Sequence, residues 1–458
     1  MHTLDRQLRA TDYFTLGWGT MVGVGWLVIM DDWLLRGGAL GALLGFVIGG
    51  ALLLPIGWVY GKLVIAMPDA AGEVAYTSAA FSRPISFATG WMMTLAYFIV
   101  CPWEAVAVGR IAGYIIPGLD SIELYRIAGH PVYLPHLVIG LALTALLTLL
   151  NYRGIRLSAT FQNWTSFGTL ALFVIFVALG VSRRSPANIQ PLFTHTPLVS
   201  ILLVIQIVPY FMTGFESVGK AAEEASPDFR SQGFFRAIWM AIFIGILFYG
   251  IIVAAVAFAA PWRQLTGEKF MTAVAFQQAL GSRWIVQIIL AAALLSLFKC
   301  FNGNFVAASR LLFALGRRGM VNSRVGIVHA RYRTPAAAVL CVGLATAVCM
   351  LLGDAILVPI TEVGSVACAI GWSAACAACL ALARRPGPET IILSRVEQAV
   401  AWFGLAVGIA MALMKVVPLI PGHFTISEWI ALAIWIVLGV AAASSAKWKS
   451  GPSGPRKA

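Results

Sequence analysis

What most constrains this chain is a succession of apolar stretches, each as long as the roughly 20 helical residues needed to cross the hydrocarbon core of a bilayer. Twelve such stretches fall within 458 residues: 13–35, 38–61, 85–110, 132–150, 159–181, 198–218, 236–260, 285–314, 335–353, 356–383, 398–418 and 426–445. One soluble core cannot absorb so many. Only 11% of the residues are charged, against about 25% in soluble domains. The expectation is an all-α membrane protein with twelve transmembrane helices, lying in a bilayer between a polar segment at 1–12 and a basic tail at 446–458. Residues 1–12 lack the basic-then-apolar order of a cleaved signal peptide.

The formal charge of +13 would suggest nucleic acid in a soluble protein, but here the Lys and Arg residues cluster in short loops such as Arg153/Arg156, Arg317/Arg318 and Arg384/Arg385. The excess is therefore a topology signal. It places both termini in the cytoplasm and calls for no nucleic-acid partner. All seven cysteines lie in apolar stretches, where a thiol behaves as a small hydrophobe. Cys376 and Cys379 share a helix face without a His or carboxylate beside them. No metal site and no cofactor are expected. A membrane enzyme would need a His–carboxylate pair, a metal triad or a phosphate-cradling loop, and none is present. A channel would need polar groups recurring along several helices, whereas here they concentrate at two places.

Those two places are interruptions. The first stretch contains Gly17, Gly19, Gly23 and Gly25, where each glycine costs a helix about 1 kcal/mol relative to Ala. The sixth reads Pro209-Tyr210-Phe211-Met212-Thr213-Gly214-Phe215-Glu216. Interrupted helices in corresponding positions of two halves point to an inverted-repeat transporter with its substrate between them. The repeats would be 13–181 and 198–383, followed by accessory helices at 398–445. Close helix packing through the Gly19–Gly23 spacing is the competing account of the first interruption.

Several segments, in order, resemble the amino acid/polyamine/organocation transporter superfamily. Gly19-Thr20-Met21-Val22-Gly23-Val24-Gly25 is similar to its first-helix break. Met67-Pro68-Asp69-Ala70-Ala71-Gly72-Glu73-Val74-Ala75-Tyr76, with Gly90-Trp91 and Tyr97, is similar to its second-to-third helix region. Gly214-Phe215-Glu216 with Glu223-Glu224 and Pro227, and Asn302 through Ser309-Arg310 and Gly319, resemble its sixth and eighth helices. The resemblance implies a five-plus-five inverted repeat (the LeuT-like fold) with broken helices 1 and 6. It also implies secondary transport of an amino acid or related small amine by alternating access. Proton-coupled symport in a bacterial inner membrane is the favoured reading, with exchange or cationic amine uptake as alternatives. Sodium coupling stays open, and a monomer or a homodimer fits equally.

Backbone N–H groups freed at the first break suit an α-carboxylate, and carbonyls freed at the sixth suit an α-ammonium. The carboxylate is accordingly expected near Val22, Gly23, Val24 and Gly25, with the ammonium near Met212, Thr213, Gly214 and Phe215. Phe215 is a candidate lid. The family commonly has Gly-Ser-Gly-Ile where this chain has Gly23-Val24-Gly25-Trp26, so Trp26 either narrows the pocket or faces a neighbouring helix. A basic residue in the fifth helix of lysine-bearing members corresponds to Thr169 here. Instead, Lys299 lies about 15 residues, or about 20 Å, into the eighth stretch. Ionisable residues at such depth face a cavity or partner and mark ion or proton paths, so Lys299 is the candidate coupling residue. A structural pair with Glu216 is the alternative. Glu216 itself is a second proton candidate, although a carboxylate starting a half-helix is already favoured by the helix dipole. Asp31, Asp32, Glu104 and Glu362 fall in the outer third of their stretches. They form either an acidic outer vestibule or interfacial pairs with Arg36 and Arg110.

Overall fold

The computed structural model describes residues 4, 6–181, 185–268, 270–385 and 390–446. Residues 447–458 of the expected basic tail lie outside them. Among the described residues, nine helices are long and apolar enough to cross a membrane. Among the described residues the fold is helical apart from one short hairpin and an isolated bridge between Leu8 and Ala225.

The chain begins with α1 (Ala10–Met21), α2 (Gly25–Val28), α3 (Met30–Leu52) and α4 (Leu54–Ala66). The α3 helix bends at Gly38, whose φ is +72°. Next come α5 (Glu73–Ala80), α6 (Arg83–Phe98) and α7 (Val100–Ile115). Strands β1 (Glu123–Ile127) and β2 (His130–Tyr133) pair antiparallel. They lead into α8 (Leu134–Arg153) and α9 (Ile155–Val181). The second half runs through α10 (Pro197–Ile205), α11 (Val208–Met212), α12 (Ser217–Lys220), α13 (Gln232–Ala259), α14 (Met271–Leu280) and α15 (Arg283–Arg317). It continues with α16 (Ala336–Cys349), α17 (Leu357–Leu382), α18 (Arg395–Val416) and α19 (Ile426–Ser444).

Sequence chemistry sets several of these ends. Capping boxes open α18 and α19: Ser394 Oγ accepts the Glu397 N–H at 3.3 Å, and the Thr425 N–H donates to Glu428 at 2.7 Å. Proline occupies the first turn of α4, α6, α8, α10 and α11, where its missing N–H costs nothing. The outer helices carry exposed Leu, Ile, Val and Trp, for example Trp402, Ile434 and Val437. An apolar rim of this kind suits lipid rather than water.

The buried centre is different. Helices α1, α9, α13 and α15 cluster together, and a hydrogen-bonded group of buried polar side chains lies among them. Asn302 Oδ1 accepts from Asn151 Nδ2 at 3.0 Å and from Ser158 Oγ at 3.1 Å. Its Nδ2 donates to Gln162 Oε1 at 2.9 Å. This amide ties α8, α9 and α15 together beside the place where α1 stops.

Candidate functional site

The α1 ladder makes its last bond from the Val22 N–H to the Trp18 carbonyl at 3.1 Å, and helical hydrogen bonding resumes only when the Leu27 N–H reaches Val24 O at 2.9 Å. The carbonyls released between these points must find other donors, and side chains supply them. Asn304 Nδ2 donates to Thr20 O at 3.0 Å. Tyr249 OH lies 3.2 Å from Met21 O. Ser296 Oγ reaches Gly23 O at 2.7 Å and Val22 O at 3.1 Å. Lys299 Nζ donates to Val22 O, and Thr272 Oγ1 donates to Trp26 O at 2.7 Å. The α15 side chains Ser296, Lys299 and Asn304 thus take over bonds that a continuous helix would have kept for itself.

A second discontinuity faces this one. The α11 helix ends at Met212, Thr213 is extended, and Gly214 has φ of +131°. A Cβ at Gly214 would stand 2.5 Å from Met21 N, so both its conformation and its contact with α1 demand glycine. Glu216 holds the turn: one carboxylate oxygen accepts Thr213 Oγ1 at 2.5 Å and the other accepts the Gly214 N–H at 3.0 Å. Tyr249 OH also lies 2.9 Å from Phe211 O. One hydroxyl on α13 therefore touches the backbone of both discontinuities.

Between them lies a cavity of about 20 Å³, room for about one water-sized group. Its walls include Thr20, Gly23, Gly25, Glu104, Tyr210, Thr213 and Asn304. Of the nine residues expected to bind substrate, Gly23, Gly25 and Thr213 line this cavity, while Val22, Val24, Trp26, Met212, Gly214 and Phe215 flank it. Trp26 is buried edge-on to Phe248, with ring centroids 6.3 Å apart. Phe215 is wedged between Tyr60 and Trp372 at 5.7 and 5.6 Å.

Lys299 is fully buried, and among the described residues it makes no ion pair with Glu216 or any other carboxylate. Its ammonium rests on Val22 O and lies 4.3 Å from the centre of the Trp18 ring. The four carboxylates expected in a vestibule separate. Asp32 and Glu362 are bridged by Arg36, at 2.8 Å each, and Lys415 pairs with Glu362. Asp31 lies beside them on the first turn of α3. Arg110 pairs with Asp354 at 3.3 Å rather than with any of the four. Glu104 is elsewhere, 1% exposed, with Oε1 3.4 Å from the Val24 N–H. It belongs to the discontinuity in the first stretch.

The run after the second discontinuity divides: Asp228 and Arg230 are exposed, whereas Lys220, Glu223 and Glu224 join an ion-pair network. At the end of the bundle bearing the basic loops, buried Lys220 pairs with Glu73, whose Oε1 also accepts Tyr60 OH at 2.6 Å. Arg310 grips Glu224 with two bonds of 2.6 and 2.9 Å. Outside these, Arg317 pairs with Asp69 and Glu223, and Arg318 pairs with Asp69 at 2.7 Å. The cluster of Arg36, Glu362 and Lys415 closes the opposite end.

A membrane-embedded helical bundle whose two discontinuous segments meet at a buried polar cavity is the architecture of a transporter. A family model described as amino acid permease matches residues 10–442, and the chain belongs to that family, a branch of the amino acid/polyamine/organocation superfamily. It is 26% identical over 372 residues to the branched-chain amino acid permease BcaP of Bacillus subtilis (strain 168), covering 79% of this chain and 76% of that one. It is 23% identical over 446 residues to the methylthioribose transporter of the same organism, covering 95% and 92%. To the human Asc-type amino acid transporter 1 it is 25% identical over 362 residues, covering 77% and 66%. These relatives are transporters, not enzymes.

Proposed function

We propose that this protein is a secondary active transporter that carries an amino acid or related small amine by alternating access, coupled to protons. The observation that carries the reading is the meeting of the 22–24 and 213–216 discontinuities around one cavity, their backbone held by side chains from α13 and α15. The names of the relatives, a branched-chain amino acid permease and an Asc-type amino acid transporter among them, support a small cargo that carries an amino group. In this reading the twelve stretches form two five-helix repeats, 13–181 and 198–383, with helices one and six broken and 398–445 accessory. Both termini face the cytoplasm of a bacterial inner membrane, so the basic end is the inner gate.

Lys299 is the coupling element. Its ammonium sits on a backbone carbonyl freed by the first break, where a bound cation would otherwise be held, and it rests against an aromatic face. Loss of its proton removes the positive charge that strengthens the bond to Val22 O and the contact with the Trp18 ring, and so weakens the tie between α1 and α15, which couples protonation to movement of the broken helix. Glu216, with both oxygens engaged at the second break, keeps that turn shaped.

The test is uptake of a radiolabelled panel of amino acids and their decarboxylated amines into proteoliposomes, with an imposed proton gradient, a sodium gradient or neither. Symport predicts saturable uptake driven by the proton gradient and a gradient-insensitive Lys299→Ala protein. Uptake only against preloaded substrate, unchanged in Lys299→Ala, would make the protein an exchanger and the lysine structural.

A further inference from the structure

The cavity between the two discontinuities has an unequal supply of donors and acceptors. Among the described residues, three of its lining side chains carry buried oxygens without a hydrogen-bond partner: Glu104 Oε2, Tyr210 OH and Asn304 Oδ1. These residues are 1%, 6% and 0% exposed, and they come from α7, α11 and α15. Buried acceptors left unsatisfied are costly, and their convergence from three separate helices on one small space calls for a ligand that brings several donors. A primary ammonium brings three N–H groups and a positive charge. Lys299 does not line the cavity: its ammonium sits on Val22 O against Trp18 and acts on Glu104 only through longer-range attraction, with no ion pair between them among the described residues.

The anionic end of a substrate is poorly served in the same place. The Val24 N–H, one of the backbone donors expected to hold an α-carboxylate, already faces Glu104 Oε1. A Cβ at Gly23 would overlap that same oxygen, so the carboxylate lies directly on the broken segment. A second carboxylate brought to Gly23–Gly25 would have to displace Glu104 from the Val24 N–H and from the space beside Gly23 that it already fills.

We infer that Glu104, Asn304 and Tyr210 form an ammonium-binding subsite, and that Glu104 occupies the place of a substrate carboxylate, so that the preferred cargo is a primary amine lacking an α-carboxylate. This rests on the transport reading above and narrows its substrate class. Glu104 is the counter-ion, and Asn304 Oδ1 and the Tyr210 hydroxyl complete the ammonium shell; the cavity of about 20 Å³ takes the ammonium head alone, so the apolar walls Phe211, Trp103 and Val100 must part to admit the rest of the molecule.

The experiment uses pairs that differ only by the carboxylate: L-leucine against isopentylamine, and L-arginine against agmatine. Uptake of each is measured with wild type and with Glu104→Gln in proteoliposomes, and binding to the detergent-purified proteins is followed by ligand-induced thermal shift. In the wild type the amine of each pair is expected to saturate at the lower concentration. Replacing the charge-assisted bond to Glu104 is expected to raise the half-saturating amine concentration by about 10- to 100-fold, while Glu104→Asp recovers part of the loss. Wild type that takes up the amino acids in preference to their amines overturns the inference and leaves the transport reading standing. That comparison needs no variant to fold. Equal affinity of Glu104→Gln and wild type for the amine also overturns it. Absence of uptake of all four compounds would reject both readings together.

Discussion

Breaking the Arg310–Glu224 pair should cost far more than the pair contributes. The guanidinium makes two bonds to the carboxylate at 2.6 and 2.9 Å, and both side chains are 2% exposed or less. At a mean separation near 2.8 Å and an effective dielectric of about 20, the attraction is about 6 kcal/mol. Removing the two ions from water costs several kcal/mol each, so the intact pair is close to neutral. Arg310→Met deletes the attraction while Glu224 stays buried, a loss of about 3–5 kcal/mol. Glu224→Gln strands Arg310 and should cost a similar amount. The double variant removes both desolvation penalties and should lie within about 2 kcal/mol of wild type. The assay is SDS-titrated unfolding in mixed micelles, supported by retention on size-exclusion chromatography, for all four proteins. The cycle should return a coupling energy above about 2 kcal/mol. Strictly additive losses, with the double variant the least stable of the four, would refute the view that this end of the bundle is locked by a buried pair.

Three further outcomes are expected. Gly23→Ala places a methyl 2.9 Å from Cys300 Sγ and against Glu104 Oε1; uptake should fall by about tenfold or more, equal to about 1.4 kcal/mol, with the protein still monodisperse on size exclusion. Asn302→Ala strands polar atoms of Asn151, Ser158 and Gln162 and should cost about 2–4 kcal/mol of stability in the same titration. Asp69 lies in the loop between α4 and α5. Burial pushes its carboxyl up, but Arg318, the Ala71 N–H and Arg317 outweigh this and hold it below the ordinary aspartate value. Its stabilising contribution is therefore complete above the ordinary aspartate range, and is lost only as pH falls below about 4 through the depressed value. Thermal midpoints of wild type and Asp69→Asn should differ by a constant amount from pH 5 to 8 and converge in stronger acid.

The membrane character of the chain was legible in the sequence because length and hydropathy alone decide whether a helix suits a bilayer, and nine such helices stand among the described residues. The two discontinuities were legible because Gly23, Gly25, Pro209 and Gly214 are residues a continuous helix resists. Lys299 stood out for the same reason, as a lone cation inside an apolar run. Its partner did not: a backbone carbonyl 277 residues away carries no side-chain signature, which made Glu216 look the natural counterpart. Glu104 was misjudged because sequence fixes depth along a helix but not the direction a side chain faces. The same limit hid Trp26 against Phe248 and Phe215 against Trp372. Ser296 escaped notice because a serine hydroxyl in an apolar stretch normally bonds back to its own helix, and Tyr249 because a tyrosine in such a stretch reads as packing; only the break in α1 gives these two a backbone carbonyl to hold. The β1–β2 hairpin is nine residues of strand with weak alternation, too short for a periodicity argument.

The central claim is that the cavity at the two discontinuities is the substrate site and is opened in turn to each side of the membrane. Cys300 reports on it directly, since its thiol lines the cavity and is 4% exposed. The measurement is the alkylation rate of Cys300, read by mass spectrometry of its peptide, in right-side-out and inverted vesicles treated with a membrane-impermeant maleimide, with and without saturating transported substrate. Alternating access predicts slow modification from both sides and slowing by substrate at the concentration that saturates uptake. Modification from one side only, or modification indifferent to substrate while uptake proceeds, would contradict the account.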